Sequence, residues 1–431
     1  MEWENIQFAY ETAKSQSDLK QSEFYDLCIQ FPIKGFDILS LRQTLDDRIE
    51  WLESGKRLAG RLNKKLEATI CKGLLANALR HRGNKTDQHK ARVNLESAIH
   101  ASASTAEEKK WLGFYLNILG NLHADMGEFC SADQCFLKAQ NLFQEISNNV
   151  GVSIALINQA RALINVGKTI QAHAICNRAL GIIDNTTLDI RRRGGVFCNL
   201  GQVYRHLGDI RESITYHEKA LRIFRELGDQ LWEGISYCLL GRAKMDLSRD
   251  EVKEGMCLTE RALNIFSELG EHRWVGHSKG NLGVGCIKLE QYREAKVHLD
   301  EALRIAEETG DERRKGIHWN YLGKVHFNQK HYQEAINANE YAYSLALLVG
   351  DGRRKAAATL SLGHNYYALG DYTDAEEYFN LCVQFSEEVG DKKKLSKAYH
   401  GLALVKEKEG NIDEAKTFTK LARQETMACN D

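Results

Sequence analysis

The stretches ALRIFRELGD (220–229), ALNIFSELGE (262–271), ALRIAEETGD (302–311), AYSLALLVGD (342–351) and CVQFSEEVGD (382–391) are variants of one pattern. Their glycines, Gly228, Gly270, Gly310, Gly350 and Gly390, stand 42, 40, 40 and 40 residues apart. A second pattern lies between them: NLGQVYRHLGD (199–209), NLGVGCIKLEQ (281–291), YLGKVHFNQKH (321–331) and SLGHNYYALGD (361–371). Its small residue falls at Gly120, Ala160, Gly201, Gly241, Gly283, Gly323, Gly363 and Ala403. Ala76, followed by RHRGN (80–84), adds one more unit upstream. A fixed period in this range marks stacked supersecondary units.

Each unit holds two apolar patterns of helical period. Between 188 and 228 the first is Val196, Phe197, Leu200, Val203, Tyr204 and Leu207, and the second Ile210, Ile214, Tyr216, Ala220, Leu221 and Phe224. These are the i, i+3, i+4, i+7 spacings of an amphipathic helix. Gly208-Asp209, Gly370-Asp371 and Gly410-Asn411 separate the two helices. Glycine accepts the left-handed conformation that ends a helix, and Asp or Asn caps the next. No strand is predicted. The small residues of the first helix are expected where it crosses the second, because a large side chain would force the axes beyond ~8–10 Å. The pattern predicts an all-α chain of about nine units: 64–106, 107–148, 149–187, 188–228, 229–270, 271–310, 311–350, 351–390 and 391–431. Residues 1–63 read as a helical N-terminal cap containing a degenerate repeat. Its helix around Trp51 and Leu58 ends at Asn63, the place of a turn glycine.

Composition narrows the function classes. The 431 residues contain 58 Lys plus Arg and 59 Asp plus Glu, a net charge of −1, so bulk attraction to nucleic acid or an acidic membrane is not expected. No apolar run approaches the ~18–20 residues of a membrane span. The N-terminus lacks the basic and apolar regions of a signal peptide. Eleven cysteines include no C-x-x-C pair, which predicts free thiols in a reducing cytoplasm.

The repeat resembles the tetratricopeptide repeat. Phe197, Leu200, Gly201, Tyr204, Gly208, Ser213 and Ala220 carry the match, with Ala295, Ala335, Ala375 and Ala415 standing where Ser213 does. The usual period is 34; here it is 40, and Gly-Asp replaces the loop proline. The resemblance implies a right-handed superhelical solenoid of helix-turn-helix repeats whose first helices line a concave, ligand-binding face. Counted from the small residue, the family's ligand-facing places fall here on Arg161, Gln202, Arg205, His206, Arg242, His277, Lys288, Asn320, Lys324 and His364. Asp246 is the one acid among these places in units three to eight, so a locally basic face is expected. Arginine forks there would take carboxylates of an acidic peptide or another protein. The segment from Trp3 to Ala59 resembles the link between the ATPase module and the repeats of bacterial STAND signalling proteins. That resemblance implies an alternative, a ligand-sensing repeat domain of such an ATPase.

Ala162 to Thr169 matches a relaxed phosphate-loop pattern, but Gly167 is the regular turn glycine of its unit. The fifteen histidines form no zinc-spaced set, and there is no Gly-x-Ser-x-Gly elbow. No catalytic residue, metal or cofactor is expected, and the chain reads as a non-enzymatic binding scaffold. Basic runs recur just before each first helix: Lys109-Lys110, Arg191-Arg192-Arg193, Arg313-Arg314-Lys315, Arg353-Arg354-Lys355 and Lys392-Lys393-Lys394. Beside neighbouring acids, they read as a solvated edge of weak ion pairs. Trp111, Trp232 and Trp274 share one repeat position and are expected to pack on the preceding helix.

Overall fold

A computed structural model describes residues 2–18, 24–35, 44–82, 85–100, 104–184 and 190–427. It contains twenty-one helices and, among the described residues, no strand. They are α1 (Glu2–Asp18), α2 (Tyr25–Lys34), α3 (Leu45–Arg61), α4 (Lys65–Arg82), α5 (Lys85–Ile99), α6 (Ala106–Asp125), α7 (Phe129–Glu145), α8 (Asn149–Val166), α9 (Thr169–Asp184), α10 (Ile190–Leu207), α11 (Ile210–Leu227), α12 (Gln230–Leu247), α13 (Val252–Leu269), α14 (His272–Lys288), α15 (Tyr292–Glu308), α16 (Glu312–Asn328), α17 (Tyr332–Leu348), α18 (Gly352–Leu369), α19 (Tyr372–Val389), α20 (Lys392–Lys408) and α21 (Ile412–Met427). From α4 onward they pair into helical hairpins, units one to nine, each packed on the next in a solenoid. Before them, Tyr10 of α1 stacks on Trp51 of α3 with ring centroids 3.6 Å apart, and α3 ends at Asn63 with φ of 55°.

The small residues are spacers between the two helices of a unit. A Cβ on Gly201 would lie 2.5 Å from the His217 ring, one on Gly323 2.5 Å from the Asn339 amide, and one on Gly363 2.6 Å from the Phe379 ring. The partner side chain, sixteen residues on in each case, is buried and fills the space. Any substituent on the glycine must displace it.

The junction from one unit to the next carries a ladder of charge. Asp229, Asp311, Asp351 and Asp391 are the N-caps of α12, α16, α18 and α20. In each, one carboxylate oxygen accepts the N–H of the residue three further on: Trp232, Arg314, Arg354 or Lys394. The other oxygen takes an arginine from the preceding unit. Arg191 Nε donates to Asp229 at 2.6 Å, Arg273 Nη2 to Asp311 at 3.0 Å and Arg313 Nε to Asp351 at 2.9 Å, while Arg353 Nη2 lies 3.9 Å from Asp391. Asp229 and Asp351 are almost wholly buried. The expectation of a solvated edge is therefore corrected for Arg313 and Arg353, while Lys110, Arg193, Lys392 and Lys393 are exposed and Lys109 makes an exposed ion pair with Glu145. Arg313 and Arg353 turn inward, and Arg191 reaches the buried Asp229 from a half-exposed position, because a capping carboxylate withdrawn from solvent needs a cation.

The ladder has a gap at α14, whose N-cap is Glu271 without a side-chain cap bond. Its buried carboxylate lies 3.5 Å from His81 of α4, five units earlier. This belongs to a seam where the solenoid returns on itself. Gln88 Nε2 donates to Thr309 O at 2.7 Å, joining units one and six. Arg273 of unit six lies 2.6 Å from Asp125 of unit two, which Arg80 also holds at 2.7 Å. Arg313 of unit seven reaches Asn165 O of unit three. The turn glycines Gly127 and Gly167 lie against Val349 and Arg353. One superhelical turn is thereby stacked on the next.

The two kinds of capping aspartate respond differently to loss of charge. Asp351→Asn keeps a capping oxygen but leaves Arg313 buried without its counter-charge, and should cost about 3–5 kcal/mol. Asp371 caps α19 in solvent and has no arginine partner, so Asp371→Asn should change stability by no more than about 0.5 kcal/mol. Denaturant unfolding of the two variants distinguishes a buried ladder from an exposed one.

Candidate functional site

The seam closes part of the concave face and leaves the inner wall of units four to nine. There α10, α12, α14, α16, α18 and α20 each place one cation in a connected group: Arg205, Arg242, Lys288, Lys324, Arg354 and Lys397. Asp246 is the carboxylate at their centre. It lies 3.1 Å from Arg205 Nη1, 3.3 Å from Arg242 Nε and 3.0 Å from Lys288 Nζ. Burial opposes its ionisation, but Arg242, Arg205 and Lys288 outweigh burial and hold its carboxyl well below the usual range.

Tyr321 is the second centre. Its hydroxyl accepts a hydrogen bond from Arg242 Nη2 at 2.9 Å. The Lys324 ammonium lies 5.4 Å from its ring centroid and the Arg242 guanidinium 5.7 Å. Burial alone would raise the phenol, but Arg242, Arg354 and Lys324 overcome it and push the group down to about 7. Lys324 and Lys397 remain exposed to solvent.

The ten residues expected at the site divide into three groups. Arg205, Arg242, Lys288 and Lys324 converge on Asp246 and Tyr321. Half-buried Gln202, His206 and His364 flank them; His364 meets Phe379 edge-on at 5.1 Å and burial pushes it down to about 4, while His206 lies near Arg353, Arg354 and Lys394. Arg161, Asn320 and His277 do not face the lumen freely. Arg161 sits by the seam and donates to Asn121 at 2.7 Å. Asn320 is buried and donates to Asn339 at 2.8 Å and Ser361 at 3.1 Å, because an amide between helices must satisfy its own hydrogen bonds. His277 lies between Trp274 and Cys238.

Three lumen groups were missed. Lys397 occupies the same repeat position as His277 and could have been found by that register. Arg354 was assigned to the edge, and Tyr321 carried no sequence signal. At the phosphate-loop look-alike, Gly167 has φ of 90° and its N–H bonds Ile164 O, while Lys168 N–H bonds Leu163 O. These amides close a helix and do not face a phosphate. Trp232 and Trp274 stack on Phe224 and Phe266 of the preceding helices at 5.3 and 5.5 Å. Among the described residues no group of His, Cys, Asp and Glu has the makings of a metal site, and no helix is long and apolar enough to cross a membrane.

The tetratricopeptide repeat family model matches residues 193–250 and 354–423. A Rap protein complexed with competence and sporulation factor is similar in structure, with 14% identity and a TM-score of 0.59 over 84% of this chain and 99% of that one. The apo form of the quorum sensor NprR from B. thuringiensis gives 13% identity and a TM-score of 0.52 over 85% and 99%. A Pyrococcus horikoshii STAND protein with a tetratricopeptide repeat sensor gives 17% identity and a TM-score of 0.49; the match covers 83% of this chain and 52% of that one. No curated protein matches the sequence. The likenesses to the Rap protein and to NprR are likenesses of fold.

Two titrations test the charge arrangement. Phenolate absorbance should show one tyrosine ionising near pH 7, and the step should vanish in Tyr321→Phe. Asp246 has a folded-state pKa below its unfolded value of about 3.9. Its contribution is present above that pH and is lost as pH falls below it. Asp246→Asn should be less stable at neutral pH and lose less stability on acidification than the parent, as followed by circular dichroism.

Proposed function

We propose that this chain, a tetratricopeptide repeat protein, is a non-enzymatic scaffold that holds an acidic segment of another protein along the inner wall of units four to nine. The observation that carries the reading is the charge balance of the lumen. Six cations, one from each of units four to nine, line this wall; Asp246 engages Arg205, Arg242 and Lys288, Asp351 lies 4.0 Å from Arg354, and Lys324 and Lys397 have no ion pair within 4.0 Å among the described residues, while the whole chain has a net charge of −1. Concentrating cations on one wall costs self-repulsion, which a bound polyanion would relieve. Lys324 and Lys397 are the solvent-exposed members available to a partner's carboxylates. Arg205, Arg242 and Lys288 are engaged by Asp246 and would act through the field they create. The fold shared with the quorum sensor NprR and with a Rap protein that binds a factor supports a binding role for such a solenoid.

A labelled Asp/Glu-rich peptide of about ten residues, long enough to cross several units when extended, serves as probe. It should bind the full chain more weakly as salt rises, because exposed pairs are screened over ~8–10 Å. Lys324→Glu combined with Lys397→Glu should weaken binding at least tenfold, since each rim charge contributes on the order of 1 kcal/mol. Lys168→Glu, on an exposed turn, is the control. Equal binding of the Gln/Asn version of the peptide, or unchanged binding by the lumen variant, would exclude the reading.

A further inference from the structure

Two successive junctions between units are filled by aromatic pairs, and the next is not. Where α11 meets α12, Phe224 stacks on Trp232, and where α13 meets α14, Phe266 stacks on Trp274. Both aromatic positions change together at the next junction. Forty residues after Phe266 stands Ala306, and forty after Trp274 stands Arg314. Gly276 on α14, which corresponds to Gly234 facing Phe266, remains glycine. Two rings are thus deleted with no larger residue opposite, and a small cavity lies there, lined by Gly276, Ala306, His277, Arg314 and His318 among others. It has room for about one water-sized particle.

The lining sets two arginines, Arg273 and Arg314, against one carboxylate, Asp311. Arg314 and His318 are one helical turn apart on α16 and share a face. His318 is 2% exposed, and its Nδ1 has no hydrogen-bond partner. The Arg314 guanidinium has no hydrogen bond or ion pair within 4.0 Å among the described residues. Asp311 also lines the cavity, but its oxygens already take Arg273 and the Arg314 N–H. The Thr309 hydroxyl bonds Ile305 O. The buried His318 Nδ1 is left over, the half-buried Arg314 guanidinium has no protein acceptor, and the nearby acceptors are spent. A buried donor without an acceptor costs about 1–3 kcal/mol, so such a site favours an occupant that only accepts.

We infer that the cavity between α15 and α16 is a binding site for a monatomic anion of the chloride class, held by the Arg314 guanidinium and the His318 Nδ1–H. The anion supplies at this junction the contact that Phe–Trp stacks supply at the two before it. Burial pushes the His318 imidazole down to about 3 and, with Arg313 and Arg273 adding to the effect, the Arg314 guanidinium down to about 10. A bound anion lowers the cost of both donors, so units six and seven pack more firmly when it is present. The site lies apart from Lys324 and Lys397, and the inference does not rest on the peptide reading.

The test compares thermal unfolding of the full chain in sodium chloride and in sodium gluconate at equal ionic strength. Gluconate is too large for the cavity. The chain should melt a few degrees higher in chloride, bromide should substitute for it, and Arg314→Met should abolish the difference. Ala306→Phe with Arg314→Trp, which restores the aromatic pair, should fold and be indifferent to halide. Lys324→Glu with Lys397→Glu should keep the halide effect, which separates this site from the lumen. Crystals of the unaltered chain grown in bromide should show an anomalous peak between Arg314 and His318. A melting temperature independent of halide, a halide effect that survives Arg314→Met, or a water in place of the bromide peak would overturn the inference.

Discussion

A carboxylate at the start of a helix can satisfy an orphan amide and balance an arginine at once. Asp229, Asp311 and Asp351 do both, and the stacking of units depends on it. The cap fixes where each first helix begins. The arginine, one unit earlier, fixes how far the two helices stand apart. Because the pair is buried, neither partner can move without exposing the other to an apolar interior. The same pairing draws Arg273 and Arg313 inward.

Where the pattern is interrupted, the structure changes use. Glu271 has no arginine one unit back, since Glu233 occupies that place, and it turns to His81 across the seam. Asp125 and Asp246 share a repeat position, five residues past the small glycine. Asp125 lies at the seam and joins Arg80 to Arg273 of the next superhelical turn. Asp246 lies in the open lumen and collects Arg205, Arg242 and Lys288 from consecutive units. One residue type at one repeat position closes the solenoid in one place and organises a charged wall in another.

The helices, their order and the spacer glycines were legible in the sequence because each depends on contacts within about forty residues. Gly201 opposite His217 and Gly323 opposite Asn339 are such contacts, and periodicity repeats them. The site was legible only in part. Arg205, Arg242, Lys288 and Lys324, placed by register, lie near one another in the structure, since a solenoid carries one repeat position along one face. Asn320 and Arg161, placed by the same rule, are bonded to neighbouring side chains. A polar side chain at a ligand-facing place turns to a neighbour whenever a nearer partner exists, as Asn339 and Asn121 do here.

By itself, the sequence determined that the chain is an all-α solenoid with small residues at helix crossings and Gly-Asp turns, because local periodicity and capping chemistry leave no other regular structure. Tertiary structure decided what the charges do. Arg313 and Arg353 look like surface residues until the superhelix curls and brings unit three against units seven and eight. That contact joins residues nearly 150 positions apart, and its geometry follows from small rotations summed over several hairpins. No local pattern encodes that sum, so the seam, the capping ladder and the cluster around Asp246 emerge only when the units are stacked.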